Sequence, residues 1–505
     1  MHLYKTDQIR LLDAKTIEIE GIQSSELMDR AAYAIFKRMT EKIAISEKAL
    51  IIAGFGNNGG DALAVARLME EAGFTVSTVL CSFGKKLSKD ATLQFERLKA
   101  KSSVNIVCPK TADELATACG PCDIILDGLF GSGLNRPLEG DFASVVHWIN
   151  QQEARIISID VPSGLFGEDN RSNKPENIVK SDLVIGLQFP RLAYLLPENE
   201  PFIKKWELVD IGIKKQAINE LNAQFYFTDF SDIRKIIQTR TTFSHKGRYG
   251  KGLLISGSYG MSGAAILAAK GALRSGIGLL TVRIPSELMA ILQTAVPEAM
   301  VQTYECGEFW DDTCSTDLWS AIAIGPGLGK SPSKRASMLR FLKKQPGKLV
   351  LDADALNIIS EENSLVSLIP EGSILTPHPG EFSRLSGKTF QTGLDRLEEA
   401  ISFAKAHKVY LVLKGAYTAC INPDGICHFN CTGNPGMATG GSGDILTGII
   451  VSLLAQGYSQ ENACILGTFL HGLSADIALE EQSQESLIAG DIANHLGNAF
   501  KAIRG

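Results

Sequence analysis

The chain has 505 residues, 45% of them hydrophobic and 21% charged, with a formal net charge of −6. That is the profile of a globular protein of several domains, and it leaves no basic footprint for nucleic acid. No apolar run approaches the roughly 20 residues a bilayer needs, and the N-terminal MHLYKTDQIRLLDAKTIEIEG has acids where a signal peptide has an apolar core, so a cytoplasmic protein is expected.

In chain order, ALIIAGF (49–55) reads as a short buried strand, Asp61 to Ala72 as a helix stopped by Gly73, and TVSTVL (75–80) as the next strand. Cys119-Gly-Pro-Cys122 has CxxC spacing, but a helix-like TADELATA precedes it and a strand-like DIILDGLFG (123–131) follows. That is the reverse of a thioredoxin-type redox pair, so a loop before a strand is expected. ARIISIDVPSG (154–164) and DLVIGL (182–187) add strands, the first ending in acid and glycine. The pattern is α/β with a mostly parallel sheet, in which function gathers at the carboxyl ends of strands.

The polar stretch from about 212 to 242 is where a domain boundary is expected. The second half restarts with the strand GKGLLISGS (250–258), the small-residue helix MSGAAILAAKGALRSG and the strand LLTVRI (279–284). AIAIGPG (321–327), KLVLDAD (348–354), SILTPHP (373–379) and VYLVLKGAYT (409–418) read as strands, a hairpin turns at 422–425, and a helix runs from Asp444 to Ala455. This is a second α/β domain, and the two halves do not align as repeats. Cys427, His428 and Cys431 lie close together in a strand-like stretch, where alternate residues face opposite sides, so a metal site is not expected there.

Two glycine-rich turns carry an acid. GFGNNGGDA (54–62) has GxGxxG spacing between a strand and a helix, but the acid that would hold a ribose at the end of the next strand is missing. Asn57, Asn58 and Asp61 are oxygen-rich groups that a plain pyrophosphate turn does not need. Asp127 and Asp160 close two further strands, ahead of FGSGLNRP (130–137) and VPSG (161–164). Two readings stand on the residues alone. In one, Asn58, Asp127 and Ser163 surround a hard cation and Asp160 transfers protons. In the other, all are helix caps and Asx turns. In MATGGSGDILTGII (437–450), Gly440, Gly441 and Gly443 turn backbone N–H groups towards an anion. Asp444 then makes sense as a base facing a substrate hydroxyl, with helix capping as the alternative.

GFGNNGGDA, FGSGLNRP and DVPSG, over roughly residues 1–215, resemble the NAD(P)H-hydrate epimerase domain, a Rossmann-like three-layer fold. The resemblance implies that the hydrated dinucleotide lies on Asn57, Asn58, Gly59, Gly60, Asp61, Gly131, Ser132, Gly133, Leu134, Asn135, Arg136 and Pro137. It also implies potassium on Asn58, Asp127 and Ser163, with Asp160 as the catalytic acid. Ala62 departs from the family's glycine, and a slightly crowded loop is expected.

TGNPGMATGGSGDILTG, HKGRYGKGLLISGSYGMSGAAILAAKGALRSG, GPGLG, LDADALN, TPHPGE and KGAYT, over roughly 225–505, resemble the ribokinase-like fold in its ADP- or ATP-dependent NAD(P)H-hydrate dehydratase branch. The implied nucleotide contacts are Lys414, Gly415, Ala416, Tyr417, Thr418 and Gly443, and the implied substrate contacts are Ala264, Gly327, His378 and Asp444. Together the resemblances imply a bifunctional repair enzyme for hydrated NADH and NADPH. One half interconverts the C6 epimers. The other, with Mg²⁺ and ADP or ATP, phosphorylates the C6 hydroxyl of the S form and eliminates phosphate. Homo-oligomers are also expected from the family. A small-molecule kinase of the same fold, and a non-catalytic N-terminal module, remain the alternatives.

Overall fold

The computed structural model describes residues 1–101, 104–305, 308–311 and 314–505. The chain forms two compact units: His2–Ala223 with Thr392–Leu394, and Gln224–Gln391 with Asp395–Gly505 and Met1.

The first unit is built on a parallel sheet of β1 (Lys48–Ala53), β2 (Thr75–Leu80), β3 (Asn105–Val107), β4 (Ile124–Gly128), β5 (Arg155–Ile159), β6 (Leu183–Leu187) and β7 (Trp206–Val209), in the order β3-β2-β1-β4-β5-β6-β7. The central strands are buried and mostly apolar, Asp127 and Ser158 apart, because both faces are covered. The order reverses between β1 and β4, so the loops after these two strands part and leave a crevice at their carboxyl ends. Gly54 makes the crevice tight. A Cβ there would lie 1.8 Å from the Leu129 carbonyl oxygen, so only glycine lets the two loops touch.

The helix expected from Asp61 begins already at Asn57 and runs to Glu71, so the asparagines and glycines form its first turn. Gly59 and Gly60 are packing residues. A Cβ on Gly59 would strike the Gly54 carbonyl at 1.9 Å, and one on Gly60 would meet Met28 Sδ at 2.8 Å. Ala62 is fully buried against Gly128, whose missing side chain leaves room for its methyl group.

The second unit has β8 (Phe225–Thr228), β9 (Lys251–Ile255), β10 (Leu279–Pro285), β11 (Met300–Tyr304), β12 (Ala321–Ile324), β13 (Leu349–Leu351), β14 (Ile374–Leu375), β15 (Tyr410–Leu413), β16 (Ala419–Ile421) and β17 (Cys427–Asn430). Their order is β8-β17-β16-β15-β14-β13-β12-β9-β10-β11, parallel except where β16 runs against β15 and β17. The switch point lies between β9 and β12. There Gly257 N donates to Pro326 O at 2.8 Å and Ser258 Oγ to Gly327 O at 2.8 Å. The helices Ser262–Arg274 and Ser442–Ala455 pack closely across this end. Gly271 and Gly448 allow it: a Cβ on Gly448 would lie 2.0 Å from Ala268 O. From Ile445 to Ala455 the second of these helices is buried all round, which explains its uninterrupted apolar sequence.

The polar stretch from 212 to 242 is more ordered than its composition predicts. It holds the helices Lys215–Asn219 and Phe230–Ile236 and the strand β8, in which three consecutive aromatics outweigh the polar surroundings.

Candidate active sites

In the first unit the loops after β1, β4 and β5 and the N-terminal helix Thr6–Glu20 line a cavity of about 680 Å³. Asn57, Asn58, Asp61, Gly131, Ser132, Gly133, Leu134, Asn135, Arg136, Pro137 and Asp160 all face it. Gly59 and Gly60 do not, and their contribution is the packing just described. Asp160 adopts a positive φ of 65°, uncommon for a residue with a side chain and a mark of a functional strand end. Its Oδ1 accepts from Arg191 Nε at 2.9 Å and Nη2 at 2.5 Å, and its Oδ2 from Ser132 N at 2.8 Å. The Tyr194 hydroxyl holds its carbonyl. Arg191 keeps a buried Nη1 with no hydrogen-bond partner, on the cavity wall.

Asp61, Asp13 and Glu139 share this cavity. Burial pushes Asp61 well above the usual carboxylate range, helped by the negative charges of Asp160 and Asp13. A carboxyl held neutral in this way does not repel a nearby phosphate. Asp13, which nothing in the local sequence marks, is raised to about 6 by burial; Arg191 opposes the shift and Asp160 adds to it.

Asp127 and Ser163 lie beneath the cavity, fully buried. Asp127 accepts from Ser163 Oγ at 2.5 Å, Ser163 N at 2.8 Å, Ser158 Oγ at 2.8 Å and Leu129 N at 3.2 Å. Burial raises its carboxyl, and among the described residues no cationic side chain pairs with it. A buried carboxylate with two hydroxyl oxygens beside it and no counter-charge among the described residues is a donor set that fits a hard cation.

In the second unit Asp444 is the third residue of its helix, whose N-cap is Gly441. The capping alternative does not hold. Among the described residues no hydrogen bond or ion pair engages its carboxyl, and the cap makes no side-chain bond. Burial raises Asp444 to about 7, with Asp352 adding to the shift and Lys414 opposing it. Lys414 Nζ lies 3.0 Å from Asp352 Oδ1 and 3.8 Å from Glu381 Oε2. Burial alone would lower its ammonium, but these two carboxylates outweigh it and hold it above its ordinary value. The fully buried Asp352 receives a second bond from Thr447 Oγ1 at 2.6 Å, one turn along the Asp444 helix. A Cβ on Gly443 would be 3.3 Å from Lys414 Nζ, so the lysine sits against the helix N-terminus.

The remaining expected residues lie at the carboxyl end of the same sheet. KGAYT is the turn after β15, held by Thr418 Oγ1 on Gly415 O at 3.1 Å, with Gly415 and Ala416 exposed and Tyr417 half-buried. Ala264 and Gly327 meet at the switch point, where a Cβ on Gly327 would lie 2.8 Å from that of Ala264. His378 is an N-cap: its Nδ1 accepts from Gly380 N at 3.0 Å, and its Nε2 lies 3.5 Å from Glu381 Oε1. Burial lowers its imidazole below the ordinary value.

Burial raises Cys119 to about 11 and also raises Cys122, the opposite of a redox-active thiol. His428 stacks on Tyr226 with centroids 4.7 Å apart, and among the described residues no His, Cys, Asp and Glu cluster has metal-site geometry. No helix among them is long and apolar enough to cross a membrane.

Comparison with known proteins agrees across both units. Residues 252–497 match the family model described as NAD(P)H-hydrate dehydratase, and residues 24–193 match the YjeF-related protein N-terminus. The bifunctional NAD(P)H-hydrate repair enzyme Nnr of Thermofilum pendens is 31% identical, covering 100% of this chain and 97% of its own. That of Coxiella burnetii is 33% identical over 98% of both chains, and that of Escherichia coli 31% identical over 98% of this chain and 93% of its own. The structure of ADP/ATP-dependent NAD(P)H-hydrate dehydratase from Bacillus subtilis, co-crystallised with ATP/Mg²⁺, superposes with a TM-score of 0.50 at 33% identity. It covers 55% of this chain and 98% of that one.

Proposed function

The chain belongs to the bifunctional NAD(P)H-hydrate repair enzymes, with an epimerase unit and an ADP/ATP-dependent dehydratase unit, and from that premise we propose which residues carry each reaction. In the dehydratase, Asp444 removes the proton of the C6 hydroxyl. The hydroxyl oxygen bonds to the terminal phosphorus of the nucleotide as the bridging P–O bond breaks, and Lys414 with the N–H groups of the helix N-terminus steadies the transferred group. Phosphate is then expelled from C6 by the lone pair of the ring nitrogen, a proton leaves C5, and the reduced nicotinamide is restored. A carboxyl near 7 with no protein partner is the observation that carries this reading: it is a base of matched strength, free to meet a substrate.

ADP or ATP and Mg²⁺ are the proposed cofactors. Mg²⁺ bound on the nucleotide phosphates screens their charge, and it needs few protein ligands when phosphates and waters supply the rest. Lys414 to Thr418 and Gly443 hold the nucleotide, while Ala264, Gly327 and His378 hold the nicotinamide side.

In the epimerase, we propose that Asp160 gives a proton to the C6 hydroxyl, which leaves as water while the lone pair of the ring nitrogen forms a C6–N double bond; water then adds to the other face of C6 and returns the proton to Asp160. Arg191 and the Ser132 N–H fix its carboxylate. Potassium fits Asn58, Asp127 and Ser163 and would supply the counter-charge that Asp127 lacks. A cytoplasmic homo-oligomer is the proposed state, readable by sedimentation.

The test is recovery of the reduced-nicotinamide absorbance from hydrated NADH, run with each nucleotide and each epimer. A stable phosphorylated product would favour a small-molecule kinase and end the dehydratase assignment for Asp444.

A further inference from the structure

Away from both sites, the second unit has a separate concavity of about 340 Å³ lined by four arginines, Arg240, Arg248, Arg274 and Arg504, and by no acidic residue. In a chain with net charge −6 this is a local concentration of positive charge. None of the four makes an ion pair among the described residues, although the unit elsewhere pairs its arginines freely, as with Arg335 on Glu361 and Arg340 on Glu308.

Two are already positioned. The Arg240 guanidinium stacks 3.9 Å above the Tyr249 ring and donates to Gly276 O, and Arg504 Nη2 donates to Gln238 O at 3.4 Å. The bland account is that arginines favour helix C-termini, where carbonyls are unsatisfied. It serves Arg274 and Arg504, each the last residue of its own helix. It does not serve Arg248, which precedes β9 on a short 3-10 turn and has no side-chain partner among the described residues. Like charges gathered in a concavity repel one another, and an anion with several oxygens relieves that repulsion while matching the fork of each guanidinium.

We propose that this concavity is a binding site for a small phosphate-bearing anion of the diphosphate class, distinct from the nucleotide cradle. Its floor includes Leu453 and Gln456, at the C-terminal end of the 14-residue helix that begins at Ser442. At about 1.5 Å per residue these two positions are about 14–18 Å from Asp444, along one rigid element. An anion drawing on Arg240 and Gln456 therefore acts on the element that carries the base.

Calorimetric titration of inorganic pyrophosphate into the full-length protein, with ADP and Mg²⁺ saturating the catalytic cradle, tests this. One additional site is expected. Arg274→Gln and Arg504→Gln should each weaken it about tenfold, the loss expected for one charge-assisted bond. Dehydration measured without pyrophosphate should be unchanged in both variants, whose side chains are exposed and outside the catalytic site. A parallel titration with orthophosphate should bind more weakly. Equal binding of the two would overturn the diphosphate class. No additional site, or one that both variants leave intact, would overturn the proposal. So would a change in sedimentation of the variants without any change in pyrophosphate binding, since the arginines would then face an acidic surface of a second copy.

Discussion

Asp444 is the residue whose environment makes the sharpest demands. Burial and Asp352 hold its carboxyl at about 7 in the folded chain, against an ordinary value of 3.8. A base works deprotonated, so dehydration should rise with pH through about 7 and level off above it. Asp444→Asn should lower kcat by about 10²- to 10⁴-fold, as loss of a general base does, with little change in nucleotide KM. The stability effect has the opposite sign. A carboxyl with a raised folded value favours the folded state when protonated and costs stability as pH rises from 3.8 to about 7. At pH 8 the asparagine variant should therefore be more stable in urea, by on the order of 1–2 kcal/mol once solvent screening is allowed for, and at pH 4 the two should coincide. A variant destabilised at pH 8 would show that the carboxylate is held by partners instead of waiting for a substrate. Asp13 deserves the same treatment in the other unit. Arg191 and Ser132 hold the Asp160 carboxylate in place, and Asp13, raised to about 6, is a second cavity carboxyl that exchanges a proton close to neutrality. In Asp13→Asn the limb of the epimerisation pH profile near 6 should vanish, while Asp160→Asn should lose the rate at every pH.

At the scale of elements, both sites depend on how closely backbone can approach backbone. The Asp444 helix leans on Ser262–Arg274 through Gly448 and Gly271. Gly448→Ala would drive a Cβ to 2.0 Å from the Ala268 carbonyl. Expected are a loss of at least about 2 kcal/mol by chemical denaturation and a fall in kcat, since a shift of ~1 Å at the base can cost about 100-fold. Thr447→Val tests the other support. It removes the 2.6 Å bond to the buried Asp352 carboxylate, costing about 1.5–3 kcal/mol and loosening Lys414. The glycines and strand-end acids were legible in the sequence because parallel strands are short apolar runs, and their last residues announce the catalytic edge. Two short strands were harder to see. Asn105–Val107 is short and only partly buried, and Phe225–Thr228 sits in a polar stretch. The helix start at Asn57 was hidden because asparagine and glycine favour loops; tight packing on Gly54 overrides that preference. Asp13 and Arg191 were invisible for a different reason. Each reaches the cavity from an element whose place beside it is set by the whole sheet, and no local spacing encodes that.

At the scale of the molecule, each unit has its own sheet, its own switch point and its own carboxyl-end site. The described residues of each site come from its own unit, and the substrate epimers are small soluble molecules. The two reactions should therefore couple through solution. Asp160→Asn protein, given nucleotide and a mixture of epimers, should restore only the S portion promptly. Asp444→Asn protein should restore none while still interconverting the epimers. Mixed together, the two variants should restore the whole, at a rate that grows with the concentration of the Asp160→Asn chain until epimerisation limits it. Full recovery from the mixture would mean that fusion keeps the two activities in constant ratio without passing substrate within one chain. If the mixture instead recovers far more slowly than the same concentration of native chain, the S epimer is being handed over before it escapes. Free exchange through solution would then be the wrong account of why these two folds share one polypeptide.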